Sequence, residues 1–190
     1  AGMLATIKEA ETFGLSVDVV DDLTGKKLGR ASSGTFRTAD VVGLDTMAHV
    51  IRTLQDNLAD DPFFPSYATP PVLQGLIDAG ALGQKSGAGF YKKVGKDILR
   101  LDPATREYVA GGGKADEIVG RILKKAPPER LKLLRESSNP QAKFLWAILR
   151  DAFHYAAVHL ESIADSARDV DFAMRWGFGM QPVSYTHLTL

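Results

Sequence analysis

Residues 32–45 read Ser-Ser-Gly-Thr-Phe-Arg-Thr-Ala-Asp-Val-Val-Gly-Leu-Asp, a short polar loop that runs directly into an amphipathic helix. Apolar side chains then recur at helical spacing, at Leu44, Met47, Ala48, Ile51, Leu54 and Leu58. Thr38 can accept the hydrogen bond that caps the start of a helix, and Asp40 places a negative charge near the positive helix end. The stretch therefore predicts a capped helix that buries one face and ends near residue 58.

The overall composition is that of a globular protein with a core of ordinary size. Of 190 residues, 45% are hydrophobic and 24% are charged, and 23 basic residues balance 23 acidic ones. A net charge near zero gives no support for nucleic acid or an anionic membrane as a partner. The absence of cysteine excludes disulfides and thiolate catalysis and favours a cytoplasmic location. Because no apolar run approaches about 20 residues, we expect no membrane span.

The apolar periodicity continues along the chain and predicts an all-α fold, a helical bundle in which few stretches alternate with period two. Helices are expected at about 1–13, 17–24, 43–58, 70–79, 115–125, 128–136 and 140–163. Asn139 is predicted to cap the long last helix, and Asp102-Pro103 to begin a further short helix. The three glycines at 111–113 are predicted to form a flexible joint.

Three motifs carry a resemblance to a known family. Residues 24–30 read Thr-Gly-Lys-Lys-Leu-Gly-Arg, residues 35–45 contain Thr-Phe and Gly-Leu-Asp, and residues 82–91 read Leu-Gly-Gln-Lys-Ser-Gly-Ala-Gly-Phe-Tyr. The chain resembles the C-terminal helical domain of the 3-hydroxyacyl-CoA dehydrogenases. Its motifs are most similar to those of the long bacterial members, which also carry an enoyl-CoA hydratase-like domain. Ala31 is a departure, because the family usually has proline at that position.

The resemblance implies part of an NAD-dependent enzyme of fatty acid β-oxidation that oxidises (S)-3-hydroxyacyl-CoA to 3-oxoacyl-CoA. In that family a histidine paired with a carboxylate acts as the base, and NAD sits on a preceding Rossmann domain. Neither the dyad nor the glycine fingerprint occurs in this chain, and the family's substrate-contacting asparagine falls just upstream of Ala1. We therefore expect an N-terminally truncated fragment with no catalytic, cofactor-binding or metal-binding residue, inactive by itself.

The resemblance implies that this chain supplies one wall of the acyl pocket and an interface with other domains or subunits. The loop at 32–36 resembles the family segment that faces the active-site cleft, so Ser33, Thr35 and Phe36 are the candidate substrate contacts. Their alternative roles are packing between helices for the phenylalanine and loop capping for the two hydroxyls. The expected partners are the acyl-CoA substrate, the Rossmann domain, a hydratase-like domain and further copies of the protein in a homo-oligomer.

An internal repeat agrees with this reading. Residues 16–21 followed by Gly29 match residues 166–171 followed by Gly179 at a constant offset (166 − 16 = 150 positions). Each copy follows a long apolar helix and reads as serine cap, helix and glycine turn. The long dehydrogenases carry the helical domain twice. The domains expected are therefore a first copy at 1–110, a linker with short helices at 111–138, the start of a second copy at 139–181, and an uncertain or foreign tail at 182–190.

The remaining chemical candidates favour structural roles. The glycine turn at 83–89 has neither dinucleotide nor P-loop spacing and is predicted to be a tight turn that needs positive φ. The acidic run Asp18, Asp21 and Asp22 lacks the pattern of a calcium loop and is predicted to be a solvated helix face. Surface or internally satisfied positions are expected for the four histidines, His49, His154, His159 and His187.

Two other functions fit the same residues. One is a non-enzymatic helical interaction module built on this scaffold, and the other is a dehydrogenase specific for 3-hydroxybutyryl-CoA. A Rossmann domain encoded upstream in the same frame would favour the enzyme over the module. The two dehydrogenases differ in their preference for acyl chain length, for which the sequence contains no recognisable motif.

Overall fold

The computed structural model describes residues 1–180, and the tail expected at 182–190 lies outside them. Helices make up most of this part, as predicted: α1 Gly2–Thr12, α2 Val17–Thr24, α3 Phe36–Val42, α4 Leu44–Asn57, α5 Pro71–Asp78, α6 Glu117–Leu123, α7 Pro127–Glu136, α8 Pro140–Ile163 and α9 Ala167–Phe178. One small antiparallel sheet is added to the helices, in the order β1 Tyr91–Val94, β2 Asp97–Leu101 and β3 Tyr108–Ala110.

The sheet occupies the region of the short helix predicted after Asp102, and that prediction is wrong. The carboxylate of Asp102 accepts the amide of Ala104 at 3.0 Å, and its carbonyl accepts the amide of Arg106 at 2.8 Å. Aspartate favours such local turns as readily as helix caps, so Asp102 shapes the turn between β2 and β3. The strands have only three to five residues and bury only Leu101, which leaves no alternating pattern to recognise.

The apolar faces of the first helices meet in one core. Helical spacing selects the buried residues of α1, α2 and α4, which are Leu4, Ile7, Ala10, Val17, Val20, Leu23, Leu44, Met47 and Ile51. The predicted buried face of α4 is therefore confirmed. Phe90, at the end of the glycine turn, is fully buried in the same core.

The stretch at 32–45 forms two helices rather than one. Gly43 separates α3 from α4 with φ 101° and ψ 129°, a conformation that favours glycine. The predicted start of the helix at Thr38 is therefore wrong, because α3 begins two residues earlier. The hydroxyl of Thr38 lies inside that helix and donates to the carbonyl of Gly34 at 2.6 Å.

The long helix α8 contacts α1 and α2 as well as its sequence neighbours α7 and α9. Asn139 caps it as predicted, accepting the amides of Gln141 and Ala142 at 2.8 and 3.4 Å. The apolar side of its first half is buried and packs against α1 and α7. Within residues 1–180, none of the helices combines the length and the apolar character that crossing a bilayer requires.

The second half of α8 lies on the connector between α4 and α5. The ring of His154 meets that of Phe63 edge-on at 5.2 Å, and His159 Nε2 lies 3.1 Å from Asp61 Oδ2. His49 is exposed on α4. His49 and His154 are exposed, as predicted, whereas His159 Nε2 is buried and makes no hydrogen bond within residues 1–180, so the prediction of a surface or satisfied position is wrong for His159. His187 lies outside the described residues.

The two copies of the repeat share some local features but differ in helix length, since α2 ends at Thr24 whereas α9 continues to Phe178. Ser16 and Ser166 precede α2 and α9 with extended backbones, at φ −72° and φ −154° respectively. The glycines that follow each copy are both left-handed. Asp21 and Asp171 hold equivalent positions, and both are buried. The internal repeat stays a prediction.

Candidate functional site

The acidic run on α2 is not a solvated face, contrary to the prediction. Asp18, Asp21 and Asp22 are spaced i, i+3 and i+4, so they share one side of the helix. Asp18 Oδ2 accepts the amide of Gly113 at 2.7 Å, and Asp22 Oδ2 accepts that of Ala115 at 2.8 Å. The glycine joint predicted to be flexible is therefore anchored to α2 at its last residue.

Asp21 lies at the centre of this arrangement. Its carboxylate accepts the amides of Thr35, Phe36 and Arg37 at 2.7, 2.6 and 2.9 Å, which are N–H groups at the start of α3. The hydroxyl of Tyr91 donates to the same carboxylate at 2.7 Å. Burial raises the pKa of Asp21, although the four donors oppose the shift. The carboxylate thus caps α3 from a neighbouring helix and ties it to the start of β1.

A second buried carboxylate, that of Asp40, holds the glycine turn against α3. Its two oxygens accept the amides of Phe90 and Tyr91 at 2.8 and 2.9 Å. The turn has the positive φ that its sequence predicts, 101° at Gly83 and 80° at Gly87. Burial raises the pKa of Asp40 to about 6, with a further contribution from the negative charge of Asp21 and against the effect of the two amides.

Asp40 is expected to make the free energy of unfolding depend on pH. Its folded pKa of about 6 exceeds the ordinary value of 3.8, so the folded state binds the proton more tightly. Its stabilising contribution is complete below about pH 4 and is lost as the pH rises through about 6. An NMR titration of the carboxyl carbon gives the pKa, and urea unfolding at several pH values gives the slope. Asp40→Asn should flatten that slope, and a carboxyl titrating near 4 would contradict the expectation.

Two of the three candidate substrate contacts bond within the domain. The Ser33 hydroxyl lies 2.6 Å from that of Thr38 and is partly buried. Thr35 Oγ1 lies 2.8 Å from Thr24 Oγ1 in a fully buried contact between the loop and α2. Both hydroxyls therefore help to shape the loop, and their contact with substrate stays a prediction.

Phe36, the third candidate, borders an open cleft of about 480 Å³. Its side chain is 3% exposed, and its ring centre lies 4.6 Å from that of Phe90, which also lines the cleft. The cleft lies between the corner of α1 and α2, the start of α5 and the turn after β2, and its lining is mainly apolar. The lining also contains three charged side chains, those of Glu11, Arg100 and Asp102.

The glycine turn does not fit NAD. Its amides are used within the turn, since Gly83 donates to Ala88 and Gly87 donates to Gln84, so they are not free to bind a pyrophosphate. In residues 1–180 no group of three or more metal-ligating side chains occurs. The pair of His159 and Asp61 is not part of the cleft lining.

The comparisons with known proteins agree with these motifs. Residues 3–93 match the family described as 3-hydroxyacyl-CoA dehydrogenase, C-terminal domain. A probable 3-hydroxyacyl-CoA dehydrogenase of Bacillus subtilis is 38% identical over 185 residues, 95% of this chain and 23% of the relative. A 3-hydroxybutyryl-CoA dehydrogenase of Mycobacterium tuberculosis is 35% identical over 89 residues, 47% of this chain and 29% of the relative. A fatty acid oxidation complex trifunctional enzyme of Rickettsia felis is 26% identical over 171 residues, 86% of this chain and 22% of the relative.

The matched region contains the arrangement described above. Both buried carboxylates, the loop at 32–36 and the glycine turn at 83–89 lie within residues 3–93. The chain spans about a quarter of the length of these relatives. The family resemblance carried by the three sequence motifs is confirmed: the chain belongs to the 3-hydroxyacyl-CoA dehydrogenase family, and residues 3–93 are a C-terminal domain of that family.

Proposed function

We propose that this chain is the C-terminal helical region of a cytoplasmic, NAD-dependent (S)-3-hydroxyacyl-CoA dehydrogenase of fatty acid β-oxidation. The observation that carries the proposal is the identity of 38% with the Bacillus subtilis protein across 95% of this chain. In the proposed reaction a hydride leaves C3 of the substrate for NAD and the hydroxyl proton passes to a base. The products are 3-oxoacyl-CoA and NADH.

The chemical step is proposed to take place on a Rossmann domain outside these residues. That domain would supply the dinucleotide site and the histidine base, since the glycine turn described here does not fit NAD. This chain would supply one wall of the acyl pocket, with Ser33, Thr35 and Phe36 closest to the substrate. A mainly apolar wall would keep water away from the bound acyl chain.

The second proposed role is an interface. The helical region would contact the Rossmann domain, a hydratase-like domain in a multifunctional enzyme, and further copies of the protein in a homo-oligomer. The relative from Rickettsia felis carries the name of a trifunctional enzyme, which supports several domains in one chain. Residues 139–181 are proposed to begin a second copy of the helical domain, with α8 packed on α1 of the first.

A second candidate is a dehydrogenase restricted to 3-hydroxybutyryl-CoA. The relative from Mycobacterium tuberculosis has that name and is 35% identical over about half of this chain. That match covers 47% of the chain, whereas the match to the Bacillus subtilis relative covers 95% of it. The longer match favours the 3-hydroxyacyl-CoA dehydrogenase as the leading proposal.

The entire open reading frame that encodes this chain is expected to produce NADH from (S)-3-hydroxyhexadecanoyl-CoA, and the 190 residues alone are not. Both are assayed by NADH absorbance with that substrate and with (S)-3-hydroxybutyryl-CoA. Activity only on the four-carbon substrate would favour the second candidate, and no NADH from either substrate would favour a helical interaction module. NADH formed by the 190 residues alone would overturn the proposed division between the two domains.

A further inference from the structure

Tyr91 joins the two buried carboxylates. Its hydroxyl donates to Asp21 at 2.7 Å, and its backbone amide donates to Asp40 at 2.9 Å. The guanidinium of Arg37 lies 4.8 Å from the centre of its ring. Burial and the negative charge of Asp21 raise the pKa of Tyr91, so the hydroxyl remains a donor. Tyr91 is therefore held by α2 through its side chain and by α3 through its backbone.

The loop at 32–36 depends on the same carboxylate. Asp21 Oδ2 receives both the Tyr91 hydroxyl and the Arg37 amide, while Oδ1 receives the two preceding amides. Gly34 permits this approach, because a Cβ there would lie 2.7 Å from Cα of Asp21. The donors around the carboxylate thus come from the loop on one side and from β1 on the other. A shift of either segment must move the oxygen atoms to which the other is bonded.

Capping α3 does not by itself require an acceptor on another helix that also binds Tyr91. The first amides of a helix are usually satisfied by the side chain at the cap position, but Thr35 makes no such bond in α3. The acceptor is instead Asp21, and Tyr91 reaches it from 70 residues further along the chain. Next to this polar contact, the rings of Phe36 and Phe90 lie 4.6 Å apart. The loop and the glycine turn therefore meet at two adjoining contacts, one polar and one apolar.

We propose that Asp21 and Tyr91 are positioning residues, which set the loop carrying Ser33, Thr35 and Phe36 against the glycine turn and so fix the shape of the acyl wall. The inference rests on the proposed function of that loop. Both residues act through the loop rather than on the reacting atoms. Loss of the Tyr91 hydroxyl is therefore expected to weaken binding of the acyl chain and to leave the chemical step almost unchanged.

The test uses Tyr91→Phe, which removes the hydroxyl but keeps the ring and the amide bonded to Asp40. Tyr108→Phe is the matched control, because its hydroxyl donates to the carbonyl of Gly89 at 2.6 Å in the same turn. In the entire enzyme, Tyr91→Phe is expected to raise KM for (S)-3-hydroxyhexadecanoyl-CoA about threefold to tenfold, the effect of one hydrogen bond to a charged group. The value of kcat, and both constants of the control, should change less than about twofold.

Amide hydrogen exchange in the 190-residue chain provides an independent measurement. The amides of Thr35, Phe36 and Arg37 are expected to exchange about tenfold faster in Tyr91→Phe and at the original rate in the control. In an active enzyme, an unchanged KM or an equal rise in both variants would overturn the inference. If the wild-type protein forms no NADH, the proposed function fails, and the exchange rates alone decide: unchanged protection of the three amides would then refute positioning.

Discussion

Replacing Gly83 by alanine is expected to lower the free energy of unfolding by roughly 4 kcal/mol or more. Gly83 has φ 101° and ψ −154°, a backbone region that is almost restricted to glycine. A Cβ at this position would also overlap the carbonyl oxygen of Asp40 and lie 2.9 Å from its carbonyl carbon and its Cα. These are backbone atoms of α3, so no side-chain rotation can relieve the overlap. The glycine turn would have to leave α3, and the amides bonded to Asp40 would leave with it.

Gly87→Ala is the matched control within the same turn. Gly87 has φ 80° and ψ −5°, and a Cβ there would meet nothing within 4 Å. Its replacement should cost only the strain of a left-handed residue, about 1–2 kcal/mol. Urea unfolding followed by circular dichroism gives both losses, and equal slopes against urea would establish that the folded and unfolded states remain comparable. Losses of the same size would contradict the role given to the contact with α3.

Asp21→Asn is expected to destabilise the fold by roughly 3–5 kcal/mol, because buried donors lose their charged acceptor. The carboxylate receives two donors on each oxygen atom, four in total. An asparagine of the same size presents one oxygen and one NH2 group. In either orientation the NH2 group faces at least one backbone amide, which leaves that amide without an acceptor. The expected result is partial loss of α3 together with weaker packing of the loop at 32–36.

The exposed Asp56 on α4 supplies the control for this substitution. Asp56→Asn makes the same chemical change at the surface, where the effect should stay within about 0.5 kcal/mol. Urea unfolding of both variants gives the difference, and amide exchange in α3 identifies where the structure opens. A free energy of unfolding for Asp21→Asn within about 1 kcal/mol of that of the control would contradict the expectation. It would mean that water replaces the lost acceptor.

Local sequence was sufficient to predict most of the helices. The buried faces of α1, α2 and α4 repeat at 3.6-residue spacing, and Asn139 caps α8 with bonds to residues two and three positions away. Such features depend only on neighbours along the chain. The two wrong helix predictions concern the segments around Gly43 and Asp102. Each of these residues is compatible with more than one local conformation. Contacts with distant residues decided between them.

The candidate site was predicted only in part. The resemblance pointed to the loop that carries Ser33, Thr35 and Phe36, but nothing local indicated that Asp21 holds it, because the amides that it binds lie 14 to 16 residues away. Asp40 binds amides 50 and 51 residues away. The i, i+3, i+4 spacing of the acidic run was the one available signal, and it is shared by solvated helix faces.

The amino-acid sequence by itself determined the helical class, the family and the places where the chain turns, since periodicity, motifs and glycines are properties of neighbouring residues. Only the tertiary structure decided what the carboxylates of α2 and α3 do. A carboxylate on a helix is stable both in water and among buried N–H donors, and the choice depends on whether distant segments bring those donors to it. Here the loop at 32–36, the glycine turn and the glycine run at 111–113 all do so. The motif that identified the family is thus held in place by aspartates whose role appears only when the chain is folded.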